Sequence, residues 1–164
     1  MKYYPFFLLV LLIFSSCDTA SDPHEINGIV FGDNIEGVRI FDDSAAVVRK
    51  LGKPTSIGYG DFRGYIFDYT KGVLNYTHLI IMEDPLLAYG VVSMSVEAPY
   101  RGRSKEGIKI GSEREFVIDR LGTPERTQGE PPDNIDLYKY RTNYFSIDYE
   151  SNKVKRITML VFLN

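Results

Sequence analysis

The sequence predicts an α+β fold made of two tandem units, each a short helix followed by three antiparallel strands, with the helices backing the sheet. Three observations predict it. Laid on itself about seventy residues apart, the chain matches residues 36–40 (Glu-Gly-Val-Arg-Ile) with 106–110 (Glu-Gly-Ile-Lys-Ile), and residues 47–54 with 117–124. Both copies of the second block end in Leu-Gly-x-Pro, a helix stop: glycine takes the conformation that closes a helix and proline prevents its resumption. Aromatic and β-branched segments with alternating polarity follow each block, as strands require.

Residues 1–16 read as an export signal. Lys2 supplies a positive start, and residues 6–14 run without a polar side chain. As a helix that run is about 14 Å long, too short for roughly 30 Å of hydrocarbon but suited to the apolar part of a signal peptide. Ser15 and Ser16 lead to Cys17, the chain's one cysteine. The tetrapeptide Phe14-Ser15-Ser16-Cys17 resembles the bacterial lipobox, with Phe in place of the usual Leu. Cys17 is therefore expected to carry the lipid, palmitate included, and residues 17–35 to form the lipidated cysteine and its tether.

With that thiol used, no disulfide forms within the chain, and a hydrophobic core must hold the fold. Nineteen Lys and Arg face 22 Asp and Glu, a net charge of −3 with no basic run, so nucleic acid is not an expected partner. No later stretch reaches eighteen apolar residues, so the expected membrane connection is an anchor and not a span.

The first unit occupies residues 36–98, a linker 99–105, and the second unit 106–164. In the second unit Ser112 and Glu115 have the spacing of a capping box, and Phe116, Val117 and Leu121 follow at helical spacing. In the first, Asp42 or Asp43 caps. Strands are expected at 138–141, 144–149 and 154–163, with a turn at 151–153. Alternation sends Tyr138, Tyr140, Phe145, Ile147, Tyr149, Ile157 and Met159 toward the helices, and Lys139, Ser146, Asp148, Arg156 and Thr158 away. The first unit keeps the phase if Tyr65 and Phe67 match Tyr138 and Tyr140, Leu74 and Tyr76 match Ile147 and Tyr149, and Met94 and Val96 match Ile157 and Met159.

The run Ile-Gly-Ser-x-x-x-x-Val-x-x-x-Leu-Gly-x-Pro at 110–124, followed by aromatic strands, resembles the small-protein-A type of outer-membrane lipoprotein. That group includes a small subunit of the β-barrel assembly machine. Two units in tandem resemble the secreted β-lactamase inhibitor protein. The likeness covers roughly residues 36–164 and implies a helix-backed sheet that binds proteins and performs no chemistry. Assembly-machine members carry one unit, whereas this chain carries two, and no binding residue of either family transfers.

Catalytic chemistry finds little support. His24 and His78 lie in unrelated contexts without further ligands at metal spacing. A lipidated Cys17 is no nucleophile. Gly58-Tyr59-Gly60 lacks the third glycine of a phosphate loop. Asp42 with Asp43 and Asp133 with Asp136 are carboxylate pairs that read as helix caps or solvated loop, and the tyrosines read as core and cross-strand pairs. No catalytic residue, metal or cofactor is expected.

Residues 79–90 form an insertion that the second unit lacks. It reads as a hairpin carrying Leu86, Leu87 and Tyr89 at its tip, either as a partner-binding surface or folded back over the junction between units. Arg101 and Arg103 in the linker would flank that surface. The expected function is a lipid-anchored, non-catalytic protein-binding module of the bacterial cell envelope, such as an accessory of envelope assembly. Its partners would be the membrane, through Cys17, and another envelope protein. The alternative is an inhibitor or immunity-type lipoprotein that blocks a secreted enzyme.

Overall fold

The computed structural model describes residues 28–59, 64–69, 74–79, 90–141 and 143–161. Cys17, Leu86, Leu87 and Tyr89 lie outside them, as do residues 1–27 generally.

The described chain opens with three two-residue strands, β1 (Ile29–Val30), β2 (Asn34–Ile35) and β3 (Val38–Arg39), paired antiparallel in that order. Ile29, Ile35 and Val38 are buried, and the Ile29 N–H donates to the Arg103 carbonyl at 3.1 Å. The tether expected through residue 35 therefore gives way to folded chain by Ile29. Two-residue strands are too short to show alternation, so this small sheet leaves no pattern in the sequence.

Helix α1 (Ser44–Leu51) starts where Asp43 Oδ1 accepts the Ala46 N–H at 2.6 Å, the capping that an acidic residue offers an unpaired backbone donor. It stops at Gly52, with φ 81° and ψ −167°, and the Gly52 N–H donates to Val48 at 2.9 Å. Strands β4 (Ser56–Tyr59), β5 (Gly64–Tyr69), β6 (Leu74–Leu79) and β7 (Gly90–Glu97) follow. Helix α2 (Arg114–Leu121) likewise stops at Gly122, with φ 82° and ψ −170°. The expected capping box does not form. Glu113 stands at the cap without a side-chain bond to the helix, and Ser112 Oγ instead accepts the Lys109 N–H at 3.0 Å, closing the preceding turn. Strands β8 (Arg126–Glu130), β9 (Asp133–Tyr140), β10 (Asn143–Glu150) and β11 (Lys153–Leu160) complete the described chain.

All eight longer strands join one antiparallel sheet in the order β4-β5-β6-β7-β11-β10-β9-β8. This corrects the predicted fold class. The protein is mostly β, and the elements are not two helix-plus-three-strand units: each helix is followed by four strands, and β7 pairs with β11 to make the sheet continuous. The uncounted strands are the two edges. β4 and β8 are exposed at every residue, and Arg-Thr-Gln-Gly-Glu in β8 has no apolar side chain to alternate.

Hydrogen-bond register also corrects the residue matches between halves. Thr55 N–H donates to Asp68, and Glu125 N–H to Leu137, at 2.7 and 2.8 Å. Thr55 and Glu125 each follow a Leu-Gly-x-Pro stop, so Asp68 corresponds to Leu137, Phe67 to Asp136 and Tyr69 to Tyr138. Tyr65 and Phe67 therefore do not match Tyr138 and Tyr140. Carried across the sheet, Leu74 corresponds to Phe145 and Tyr76 to Ile147, while Met94 corresponds to Ile157 and Val96 to Met159. Tyrosines recur at both spacings in the sequence, and only the hydrogen-bond register separates the two alignments.

Both helices and the small sheet lie on one side. Val47, Val117, Ile29 and Ile35 share a single core cluster with Met94, Ile147, Ile157 and Met159, all 2% exposed or less. Fully burying an aliphatic side chain of this kind stabilises by about 1.5–3 kcal/mol, which is what docks two eight-residue helices too short to stand alone. Leu51 and Leu121 pack against the cluster partly buried, and Tyr140, expected on the inner face, is 44% exposed.

Candidate functional site

The opposite side of the sheet carries the outward-phased side chains, and among the described residues neither helix nor the small sheet lies on it. Register arranges this face in rows across the strands. The middle row runs through Asp68, Asn75, Ser95, Thr158, Ser146 and Leu137, one residue from each of six adjacent strands. At its centre stand Ser95, Thr158 and Ser146, small hydroxyl side chains that are half-buried. One flanking row passes through Ser93, Leu160, Tyr144 and Lys139, with the Lys139 ammonium 5.5 Å from the Tyr144 ring centre.

The other flanking row is charged: Glu97, Arg156 and Asp148 lie side by side on β7, β11 and β10. Arg156 donates through Nε and Nη2 to Glu97 Oε2, at 3.1 and 2.9 Å. Its Nη1 approaches Asp148 Oδ2 only to 3.9 Å. Burial pushes the Asp148 carboxyl above its ordinary value, against the opposing pull of Arg156, Ser146 and Lys155. Two carboxylates thus share one guanidinium at the middle of the sheet, and Asp148 holds the weaker share.

A second polar cluster lies on the inner face of the second half. Asp136 is fully buried and accepts from Arg114, from Thr127 Oγ1 at 2.7 Å and from Asn134 Nδ2 at 3.0 Å. Beside it the Tyr138 and Tyr149 hydroxyls approach one another without a well-aligned hydrogen bond, and burial raises both above the ordinary tyrosine range. The expectation of a solvated Asp133 and Asp136 is thus wrong for Asp136. Asp133 is exposed, and its Oδ1 accepts the Ser151 N–H at 2.7 Å. In the first half Phe67 and Ile57 stand where Asp136 and Thr127 do, so the cluster has no counterpart there.

Of the residues expected at a partner site, only Arg101 and Arg103 are described. Both are exposed in the linker, and Arg103 is tied through its backbone to Ile29 and paired with Lys109, away from the rows of the open face. His78 lies in β6. The outward phase of Ser146, Asp148, Arg156 and Thr158 was legible from alternation. Their gathering with Glu97 was not, since it depends on β7 pairing with β11 across 59 residues of chain. Among the described residues no group of three or more His, Cys, Asp or Glu is placed to hold a metal ion. No described helix is long and apolar enough to cross a membrane.

No protein-family model matches the sequence, and no curated protein matches it. Solved structures do resemble its fold. An extracellular protein containing a SCP domain from Bacillus anthracis superposes with a TM-score of 0.53 at 12% identity over 74% of this chain and 44% of that one. A cysteine-rich secretory protein from Staphylococcus aureus gives 0.52 at 14% identity, again over 74% of this chain and 44% of that one. A DUF4309 family protein from Bacillus subtilis gives 0.52 at 13% identity, over 78% and 84%. This chain spans less than half the length of the first two, and at these identities the likeness is one of fold. Two of these bacterial proteins are described as extracellular or secretory.

Proposed function

We propose that the chain is a lipid-anchored, non-catalytic binding module of the cell envelope, and that it engages another protein through the open face of its eight-stranded sheet. The observation that carries this reading is the composition of that face. Its centre and charged flank, Ser95, Ser146, Thr158, Glu97, Arg156 and Asp148, are polar and half-buried on adjacent strands, while every described helix packs on the other side. A face of this breadth offers the area that specific protein interfaces need, with a polar floor and a charged flank to set specificity. Lipid on Cys17 would hold the module near its membrane, since each buried methylene contributes about 0.8 kcal/mol and several acyl chains anchor where one barely does.

A photo-cross-linking side chain placed at Ser95, in the middle row, tests the reading in intact cells. A discrete protein adduct from Ser95, absent when the same group replaces Asp119 on the helix side, is the expected result. Adducts from Asp119 alone would overturn it. Replacement Cys17→Ser is expected to abolish lipid labelling and detergent partitioning; unchanged labelling would remove the anchor from the proposal.

A further inference from the structure

The open face also says what kind of partner it fits. We infer that the protein bound there inserts a basic side chain, a guanidinium or ammonium group, beside Asp148, at the junction of the charged row and the hydroxyl row. This rests on the reading of the open face as the binding surface and names the chemistry that surface selects.

Charge and geometry carry the inference. Arg156 gives its two short hydrogen bonds to Glu97, so Asp148 is left with a guanidinium at 3.9 Å and the Ser146 hydroxyl at 3.5 Å. Asp148 has only 23% of its side chain exposed, so water compensates its charge poorly. Lys155, the next cation along β11, donates instead to Glu150 at 2.9 Å. The centre of the face therefore holds one more negative charge than positive. The adjoining row presents only the short side chains of Ser146 and Thr158, and Asp148 keeps that 23% of its side chain in contact with solvent. Beyond that row lie Leu160 and Tyr144, an apolar strip two residues away along the same strands. A segment lying across the strands could thus rest apolar groups on the strip and direct a cation at Asp148, gaining a charge-assisted bond in a site already shielded from water.

The test uses two acetylated, amidated tripeptides, Leu-Arg-Leu and its counterpart with citrulline in place of arginine, which keeps the shape and removes the charge. Each is titrated into the isotopically labelled mature chain, and backbone amide signals are followed by NMR. The arginine peptide is expected to shift Ser95, Asp148, Arg156 and Thr158 and to bind at least about fivefold more tightly than the citrulline peptide. Asp148→Asn should erase that difference, and Ser146→Lys, which supplies an internal cation, should erase it in a chain that keeps Asp148. Equal binding of both peptides on this face would overturn the basic anchor while leaving the open face as a binding surface. Shifts confined to other surfaces would also overturn it, and an empty cross-linking result at Ser95 would then remove the broader reading as well.

Discussion

Asp136 grips Arg114 with both carboxylate oxygens: Nε donates to Oδ2 at 2.9 Å and Nη2 to Oδ1 at 3.1 Å, joining the first turn of α2 to the inner face of β9. Asp136 is fully buried and Arg114 keeps 22% of its side chain exposed. Removing one partner of such a pair strands a desolvated charge. Asp136→Ala is therefore expected to cost about 3–5 kcal/mol, measured by denaturant unfolding. The double replacement of Arg114 by Met and Asp136 by Leu is expected to recover most of that loss, because Phe67 serves the corresponding position of the first half with an apolar side chain. A double variant as unstable as Asp136→Ala would show that the surroundings, Thr127 and Asn134 included, are built for charge.

That pair also marks where sequence stops informing structure. The helix stops at Gly52 and Gly122 are local events, set by a residue that tolerates positive φ, and they were legible. So was the inward phase of Phe145, Ile147, Ile157 and Met159, because a strand with one buried face must alternate. Asp136 was not. It sits in Asp-Asn-Ile-Asp-Leu-Tyr, a polar run that reads as loop, and its burial is made tolerable by Arg114, 22 residues away. The edge strands β4 and β8 bury neither face, so they carry no pattern to read. The cross-sheet row of Glu97, Arg156 and Asp148 exists only once β7 meets β11, a long-range event with no local trace.

Buried tyrosines should govern behaviour in alkali. Burial, and then the Asp136 carboxylate, push the Tyr138 hydroxyl up to about 12, and Tyr100 and Tyr149 are raised further. Tyr100 also donates to Glu36 Oε1 at 2.7 Å, which favours its protonated form. A group whose folded value is raised contributes stability that is fully present below its unfolded value, near 10, and lost as pH climbs toward the folded one. Absorbance titration at constant temperature is expected to show the exposed tyrosines ionising first and these three only above about pH 12 or on unfolding. Ionisation of all tyrosines together near pH 10 in the folded protein would contradict the burial described.

Gly52 and Gly122 test backbone conformation with little else involved. Both combine φ near 80° with ψ near 180°, a region that only glycine enters freely, and a Cβ added at either would meet no atom within 4 Å. Gly52→Ala and Gly122→Ala are each expected to cost roughly 1–3 kcal/mol in equilibrium unfolding, from strain and not from collision. D-alanine, introduced by semisynthesis, should be tolerated at both positions, because its preferred φ is positive. Equal losses for the two enantiomers would mean that the helix stops are held by something other than glycine's freedom.

The last expectation concerns Asp148 and distinguishes a carboxylate kept for binding from one kept for stability. Burial raises its folded value, with Arg156 and Ser146 offsetting only part of the effect. For a carboxyl the sign follows directly: the ionised form is disfavoured by folding, so stability falls as pH rises from below the ordinary aspartate value through the raised one, and the deficit persists at neutral pH. Asp148→Asn removes the ionisable group while keeping its size. Its melting temperature is expected to equal or exceed that of the wild type at pH 7, with the difference vanishing near pH 3 where Asp148 is protonated. Asp148 as a structural partner of Arg156 gives the opposite result: at pH 7 the variant would melt lower by more than about 4 °C, a loss of about 1 kcal/mol or more for a domain of this size. Unaltered or improved stability in Asp148→Asn, together with loss of the preference for the arginine peptide, would separate the two roles, since a carboxylate that contributes nothing to folding has its use on the surface it faces.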